Sequence, residues 1–437
     1  MKNTKRDTLK LLGPTDNHVI RTKGYRSITI FIFLLIAVYC VLPFIDVPLL
    51  GLSVSAPLFF FVALEVLLRA PEPWFSNYRL WIIFAIFNVI GILFSFLGGA
   101  LITKMGNFNL EEALYVIRYA YWLLFFVVTA YFVSYNKLWW RLIRWLAIAV
   151  TVLAILRWSE ALHISKFWDA SGRPFLTPNG YGILFSTFAS MLLPFLVSGR
   201  KRFLAFLAIS VLWSAAAING SRSSWISIVC GAIVFFIIYL QSRSKVIPGV
   251  MALIGTLLFF LAIINFAPDS WIRPIEARFS TFQMLEEDKS FVIRQVLVKK
   301  GLYLFQSNPF FGVGMTSFLA SSAEVDMPAL LVSRTNEILT TRDAHNSYIL
   351  FLSETGLTGT LPFASMLLYL IWGGYKAAAS LSRQGEIWSS AVFSSLVGMS
   401  IHFWTLSGMT STVTWLIYGL VAGMIWFDKS KHQENIS

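Results

Sequence analysis

The sequence is broken into apolar runs that each approach the roughly 20 residues a helix needs to cross a bilayer core. They lie near 27–45, 50–69, 80–103, 112–134, 141–158, 180–198, 203–219, 223–240, 248–267, 346–372, 388–406 and 411–427. Lipid offers the backbone no hydrogen-bond partner, so runs of this kind fold as helices that satisfy themselves internally. The pattern predicts an all-α, polytopic integral membrane protein with about 12 transmembrane helices. Its organisation reads as a tail over 1–26, transmembrane helices 1 to 9 over 27–267, a large loop over 268–345, transmembrane helices 10 to 12 over 346–427 and a second tail over 428–437. No small-residue cleavage site ends the first run, which therefore reads as an uncleaved helix and not as a signal peptide.

Charge tests this layout. The chain carries 35 Lys and Arg against 22 Asp and Glu, a net charge of +13 that in a water-soluble protein would suggest nucleic acid as a partner. An even number of spans puts both termini on one side. Assigning that side to the cytoplasm gathers most of the Lys and Arg there and leaves the other side near neutral, which is the positive-inside bias. No nucleic-acid partner is expected. Cys40 and Cys230 both fall inside apolar runs, with neither a disulfide framework nor metal-ligand spacing.

Two connections are long, Ser159–Asn179 and Pro268–Ala344, and both fall on the outer side. Loops of such length usually carry function when they carry structure. Within the second, Ser290–Gln306 reads as a helix capped by Asp288 or Ser290, followed by the turn-forming run Asn308-Pro309-Phe310-Phe311-Gly312-Val313-Gly314. One or more helices along the outer surface or over a cavity are expected.

The ionisable residues on this side are the candidates for chemistry, because a charge at membrane depth costs about 3 kcal/mol or more unless it is paired. Arg118 lies inside span 4, Arg157 ends span 5, Arg173 precedes span 6 and Arg222 opens span 8. The large loop adds Arg273, Arg278, Arg294, Arg334 and Arg342. Guanidinium groups bind phosphate bidentately and keep their charge when partly buried, so a converging set points to a phosphorylated ligand. For any one of them, snorkelling or pairing with a nearby carboxylate explains the charge equally well. His345, next to Asn346 at the seam where the large loop meets span 10, is placed to take a proton from an attacking hydroxyl, or else to cap the helix. His163 and His402 lie near the same side without that context and serve as controls. The acidic run Glu286-Glu287-Asp288 is consecutive and does not converge as a metal site would; no metal and no cofactor is expected.

His345-Asn346 followed by Gly356-Leu357-Thr358-Gly359 resembles the histidine motif of the bacterial O-antigen ligase and polymerase superfamily. The run Arg294–Phe318 resembles that family's approach to the motif, and Ser221-Arg222-Ser223-Ser224-Trp225 resembles its arginine turn. The resemblance covers roughly 173–360 and extends to the layout of spans. It implies a glycosyltransferase at the periplasmic face of the bacterial inner membrane. A glycan would move from undecaprenyl diphosphate to a hydroxyl of lipid A-core, or, in a polymerase, to another carrier-linked repeat. It also implies roles: Arg222 and Arg294 on the diphosphate, His345 activating the acceptor, with Arg118, Arg173, Arg278, Arg342 and Asn346 lining the substrate, no metal, and inversion at the anomeric carbon. Arg294-Gln295-Val296-Leu297-Val298 has Val where the ligase pattern has Leu, and Arg278 is the alternative to Arg294. A transporter of anionic lipid is the competing class; it would show internal repeats and a midplane site, and no repeat is evident.

Overall fold

The computed structural model describes residues 74–102, 110–135, 139–161, 178–198, 202–219, 221–242, 254–255, 289–323, 325, 344–406, 408 and 411–434. Among these, all regular structure is helical. In chain order the helices are α1 (Trp74–Ile102), α2 (Leu110–Tyr135), α3 (Trp139–Ala161), α4 (Pro178–Ser198), α5 (Arg202–Ile218), α6 (Arg222–Ser242), α7 (Lys289–Ser307), α8 (Phe318–Ala323), α9 (Ser347–Arg383), α10 (Trp388–His402) and α11 (Thr412–Glu434).

Five stretches among the described residues are long and apolar enough to cross a membrane: Arg79–Gly98, Ala113–Ser134, Gly180–Val197, Arg222–Ser242 and Ser347–Arg383. Two shorter apolar helices, Leu146–Leu156 and Arg202–Ala217, accompany them. Five is fewer than the twelve expected. The runs near 27–45 and 50–69, and all of 248–267 but residues 254–255, lie outside the described residues, and α10 has only 15 residues. The surface agrees with a lipid environment. On α1, Ile83, Phe87, Ile90, Phe94 and Leu97 are all exposed at helical spacing, and so are Leu361, Leu368 and Trp372 on α9. Exposed apolar stripes of this length would aggregate in water. The chain is an integral membrane protein.

Small residues set how closely the helices approach, because lipid supplies no hydrophobic drive between them and packing must do so. In α11 Gly419 and Gly423 are four residues apart, and a Cβ on either would fall 2.5 Å from Thr129 or Val133 of α2. Helices α6 and α10 run antiparallel in contact with α4. A Cβ on Gly398 would lie 2.9 Å from the Ser227 carbonyl oxygen, and one on Gly231 2.6 Å from Ser190 Oγ and 3.3 Å from the Ser394 carbonyl oxygen. Ser395 Oγ donates to the Thr187 carbonyl at 3.0 Å. This stepping, 231 beside 394 and 227 beside 398, carries the end of α10 to the start of α6.

The described part of the large loop is packed, not solvated. Helix α7 exceeds the expected Ser290–Gln306 by one residue at each end. It packs on α9, burying Ile293, Val296, Leu297 and Leu304 with Phe318 of α8. The buried Lys300 ammonium donates to the Ser322 carbonyl, which ties α7 to α8.

Candidate functional site

Helix α9 begins at Asn346, whose side-chain oxygen accepts from the Tyr348 and Ile349 amides at 3.0 and 3.1 Å. Between two and three turns further it breaks. Gly356 has φ 58° and ψ −158°, a conformation open in practice only to glycine. The break frees backbone groups on both sides of it, and the turn after α7 takes them up. Val313 and Gly314 amides donate to the Ser353 and Glu354 carbonyls, both at 3.0 Å, while the Leu357 and Thr358 amides donate to Pro309 and Phe310 at 2.8 and 3.0 Å. Ser95 of α1 closes the group by donating to the Phe311 carbonyl at 2.8 Å. The two glycine-bearing motifs of the sequence thus form one backbone clamp. A Cβ on Gly312 would lie 2.4 Å from the Glu354 carbonyl.

The clamp fixes the start of α9 and the residue before its cap. His345 is half-buried and has φ 46°, a left-handed conformation that a non-glycine residue adopts uncommonly and at some cost in strain. Just beyond the cap, the Ser347 amide donates to the Phe403 carbonyl at 2.9 Å; its hydroxyl bonds the Leu406 carbonyl and accepts from the Gly408 amide at 2.8 Å. The end of α10 therefore holds the His345 segment. The same helix end holds the start of α6. His402 is fully buried, and its Nε2 shares a hydrogen bond with Ser223 Oγ at 3.3 Å; Ser223 Oγ lies 3.1 Å from Ser221 Oγ. Half-buried Arg222 stands between those serines. Half-buried Arg294 of α7 is near enough for its charge to act on His402. A single helix end thus bonds Ser223, the neighbour of Arg222, and Ser347, two residues after His345, and its His402 feels the charge of Arg294. Two arginines and a histidine carried by segments that meet at one helix end suit an anion next to a group that must lose a proton.

The stretch that carries all three residues, 205–364, matches the family model described as O-antigen ligase. That stretch is similar to an O-antigen ligase domain. The match spans less than half of the chain and ends before α10. It supports a membrane enzyme of the glycan ligase or polymerase type that handles lipid-linked glycans. No curated protein matches the chain.

Around this stretch the remaining candidates separate. Arg118 of α2 shares its surroundings with Tyr115, whose phenol also feels the buried carboxylate of Glu354. Asn346 commits its acceptor oxygen to capping α9. Arg173, Arg278 and Arg342, and the control His163, lie outside the described residues. His402 does not suit a control, because it sits among the residues it was meant to be compared with. Glu354 was also missed. Its Oε1 accepts from the Phe318 amide at 3.3 Å, holding α8 to the clamp. A carboxylate eight residues into an apolar helix was itself a signal, given what a buried charge costs. Among the described residues there is no group of three His, Cys, Asp or Glu side chains that could hold a metal ion.

Proposed function

We propose that the protein transfers a glycan from undecaprenyl diphosphate to a hydroxyl of lipid A-core at the periplasmic face of the inner membrane. Arg222 and Arg294 bind the diphosphate. His345 accepts the proton of the acceptor hydroxyl as its oxygen attacks the anomeric carbon, and the bond from that carbon to the diphosphate breaks, leaving the electron pair on the departing oxygen. Charge grows on the diphosphate through this step, and guanidiniums fixed beforehand stabilise it more in the transition state than in the ground state. Attack from the side opposite the leaving group inverts the anomeric centre. Arg118, Arg173, Arg278, Arg342 and the Nδ2 end of Asn346 are the further groups through which the glycan and the carrier headgroup are held.

The observation that supports this reading is the gathering of Arg222, Arg294 and the His345 segment around the end of α10. The strained φ of His345 adds to it, since backbone strain is kept where function needs the side chain in one place. The full chain reconstituted in proteoliposomes, given a labelled undecaprenyl-diphosphate-linked glycan and lipid A-core, should move label onto lipid A-core and leave free undecaprenyl diphosphate, with or without EDTA. Label that lengthens while staying on the carrier would make the protein a polymerase instead; no label transfer of either kind would overturn the reading.

A further inference from the structure

We propose that His402 is a positioning residue of the transfer site, a neutral imidazole whose hydrogen bond to Ser223 fixes the Ser221–Ser223 turn and so the direction in which Arg222 leaves the start of α6. The proposal rests on the reading of Arg222 as a diphosphate ligand.

Packing alone gives no reason for a histidine here. The residue is fully buried at the end of an apolar helix, where Leu or Phe would fill the space without the penalty of burying two ring nitrogens. Among the described residues the ring has one hydrogen bond, to Ser223, and Nδ1 has none. A buried polar group this poorly satisfied is retained against its desolvation cost. What the bond reaches explains the choice. Ser223 continues to Ser221, so the two serines flank Arg222 along the chain with His402 anchoring them, and a Cβ at Gly182 of α4 would fall 2.0 Å from Ser224 Oγ, which leaves that turn no slack.

Burial first, and then the charges nearby, decide the protonation state. Arg294 acts on His402 electrostatically, and Arg222 is the neighbour of its hydrogen-bond partner. An imidazolium there would add a third cation to a site without a described carboxylate partner for it, whereas a neutral ring orients the serines at no electrostatic cost. His402 is thus no ligand for the anion and no base. The main chain just after it does a second task, because the carbonyl of Phe403 accepts from Ser347 and registers the His345 segment against the same turn. His402 lies beyond the stretch 205–364 that matches the O-antigen ligase model.

The test uses undecaprenyl diphosphate alone, the carrier invoked above, titrated into the full chain in nanodiscs, so that neither the sugar nor the acceptor need be known. His402→Phe keeps the volume and removes the bond; His402→Gln keeps a polar nitrogen close to the Nε2 position; Ser223→Ala removes the other partner. His402→Phe and Ser223→Ala should each weaken binding about five- to ten-fold with an unchanged unfolding temperature. The double variant should be no weaker than either single, since the two act as one unit, and His402→Gln should return to within about two-fold of the wild type. Wild-type affinity in His402→Phe overturns the proposal, as do additive losses in the double variant, or a loss shared by Phe and Gln together with a lowered unfolding temperature. Arg222→Ala separates the two levels. If Arg222→Ala binds as the wild type does, the reading of Arg222 falls; if it binds weakly while His402→Phe is unaffected, only the role of His402 falls.

Discussion

At the scale of single residues, Arg222 and His345 are asked for different things. Arg222 supplies charge in a planar fork, which Lys copies only as a point charge. Arg222→Lys should therefore retain part of the transfer activity and Arg222→Ala almost none, at equal protein levels in the membrane; an active Arg222→Ala would return the residue to snorkelling. His345 calls for a different variant. Its φ of 46° favours glycine, so His345→Gly removes the imidazole while relieving the backbone and is a cleaner probe than alanine, which would keep roughly 1–2 kcal/mol of left-handed strain. His345→Gly should unfold no lower than the wild type and lose about 10²- to 10⁴-fold in rate, the ordinary contribution of a general base. Wild-type activity should fall on acidification, because protonated imidazole cannot accept the acceptor's proton. The residual activity of His345→Gly should lack that fall. A variant as active as the wild type, with the same pH profile, would leave the arginines to act without a base.

At the scale of elements, the decisive feature is the break in α9. Without it the amides of Leu357 and Thr358 would close helical bonds onto the Ser353 and Glu354 carbonyls, and the turn after α7 would have nothing to pair with. Gly356→Ala should destabilise the protein by about 1–3 kcal/mol from the backbone conformation alone. A further cost follows because its Cβ would lie 2.5 Å from the Phe310 carbonyl and the Gly312 amide nitrogen. A lowered unfolding temperature in detergent, with activity lost in proportion, is the expected outcome; an unchanged one would mean that the clamp does not hold the site together. The elements also show what could be read without a structure. Runs such as 112–134 and 180–198 were legible because length and apolarity are local properties, and α7 was legible from its cap and periodicity. The clamp was visible only as two glycine motifs far apart in sequence, with nothing to say that their backbones pair. His402 was read as a control for the same reason. The role proposed for it comes from the antiparallel contact of α6 with α10, which Ser227, Gly231, Ser394 and Gly398 create through their small size, and that stripe at four-residue spacing was the available clue.

At the scale of the whole molecule, charge and site sort to opposite ends of α9. Its first turn carries the His345 segment; at its far end lie Lys376 and Arg383, and the turn beyond holds Glu386, which pairs with Lys431 of α11 at 3.3 Å. Lys429 of α11 donates to Tyr369 at 3.2 Å near the same end. Cations crowded at one end of a membrane helix mark the cytoplasmic side, and the part of α9 beyond its break, 357–383, is long enough to cross the bilayer. The site would then open outside, where a glycan-bearing carrier presents its diphosphate. Cysteine labelling checks this, provided the probes are exposed. Ser322 of the large loop is fully buried and would report nothing. Ser307 at the end of α7 and Gln384 after α9 are both exposed. In spheroplasts, Ser307→Cys should react with a membrane-impermeant maleimide from outside, and Gln384→Cys only after permeabilisation. Cys230 lies within α6 and is half-buried, so replacing it together with Cys40 by alanine removes the background without touching the arginine turn. Labelling of Gln384→Cys in intact cells, with Ser307→Cys protected, would put the arginines and His345 on the cytoplasmic face and remove the extracytoplasmic transfer mechanism.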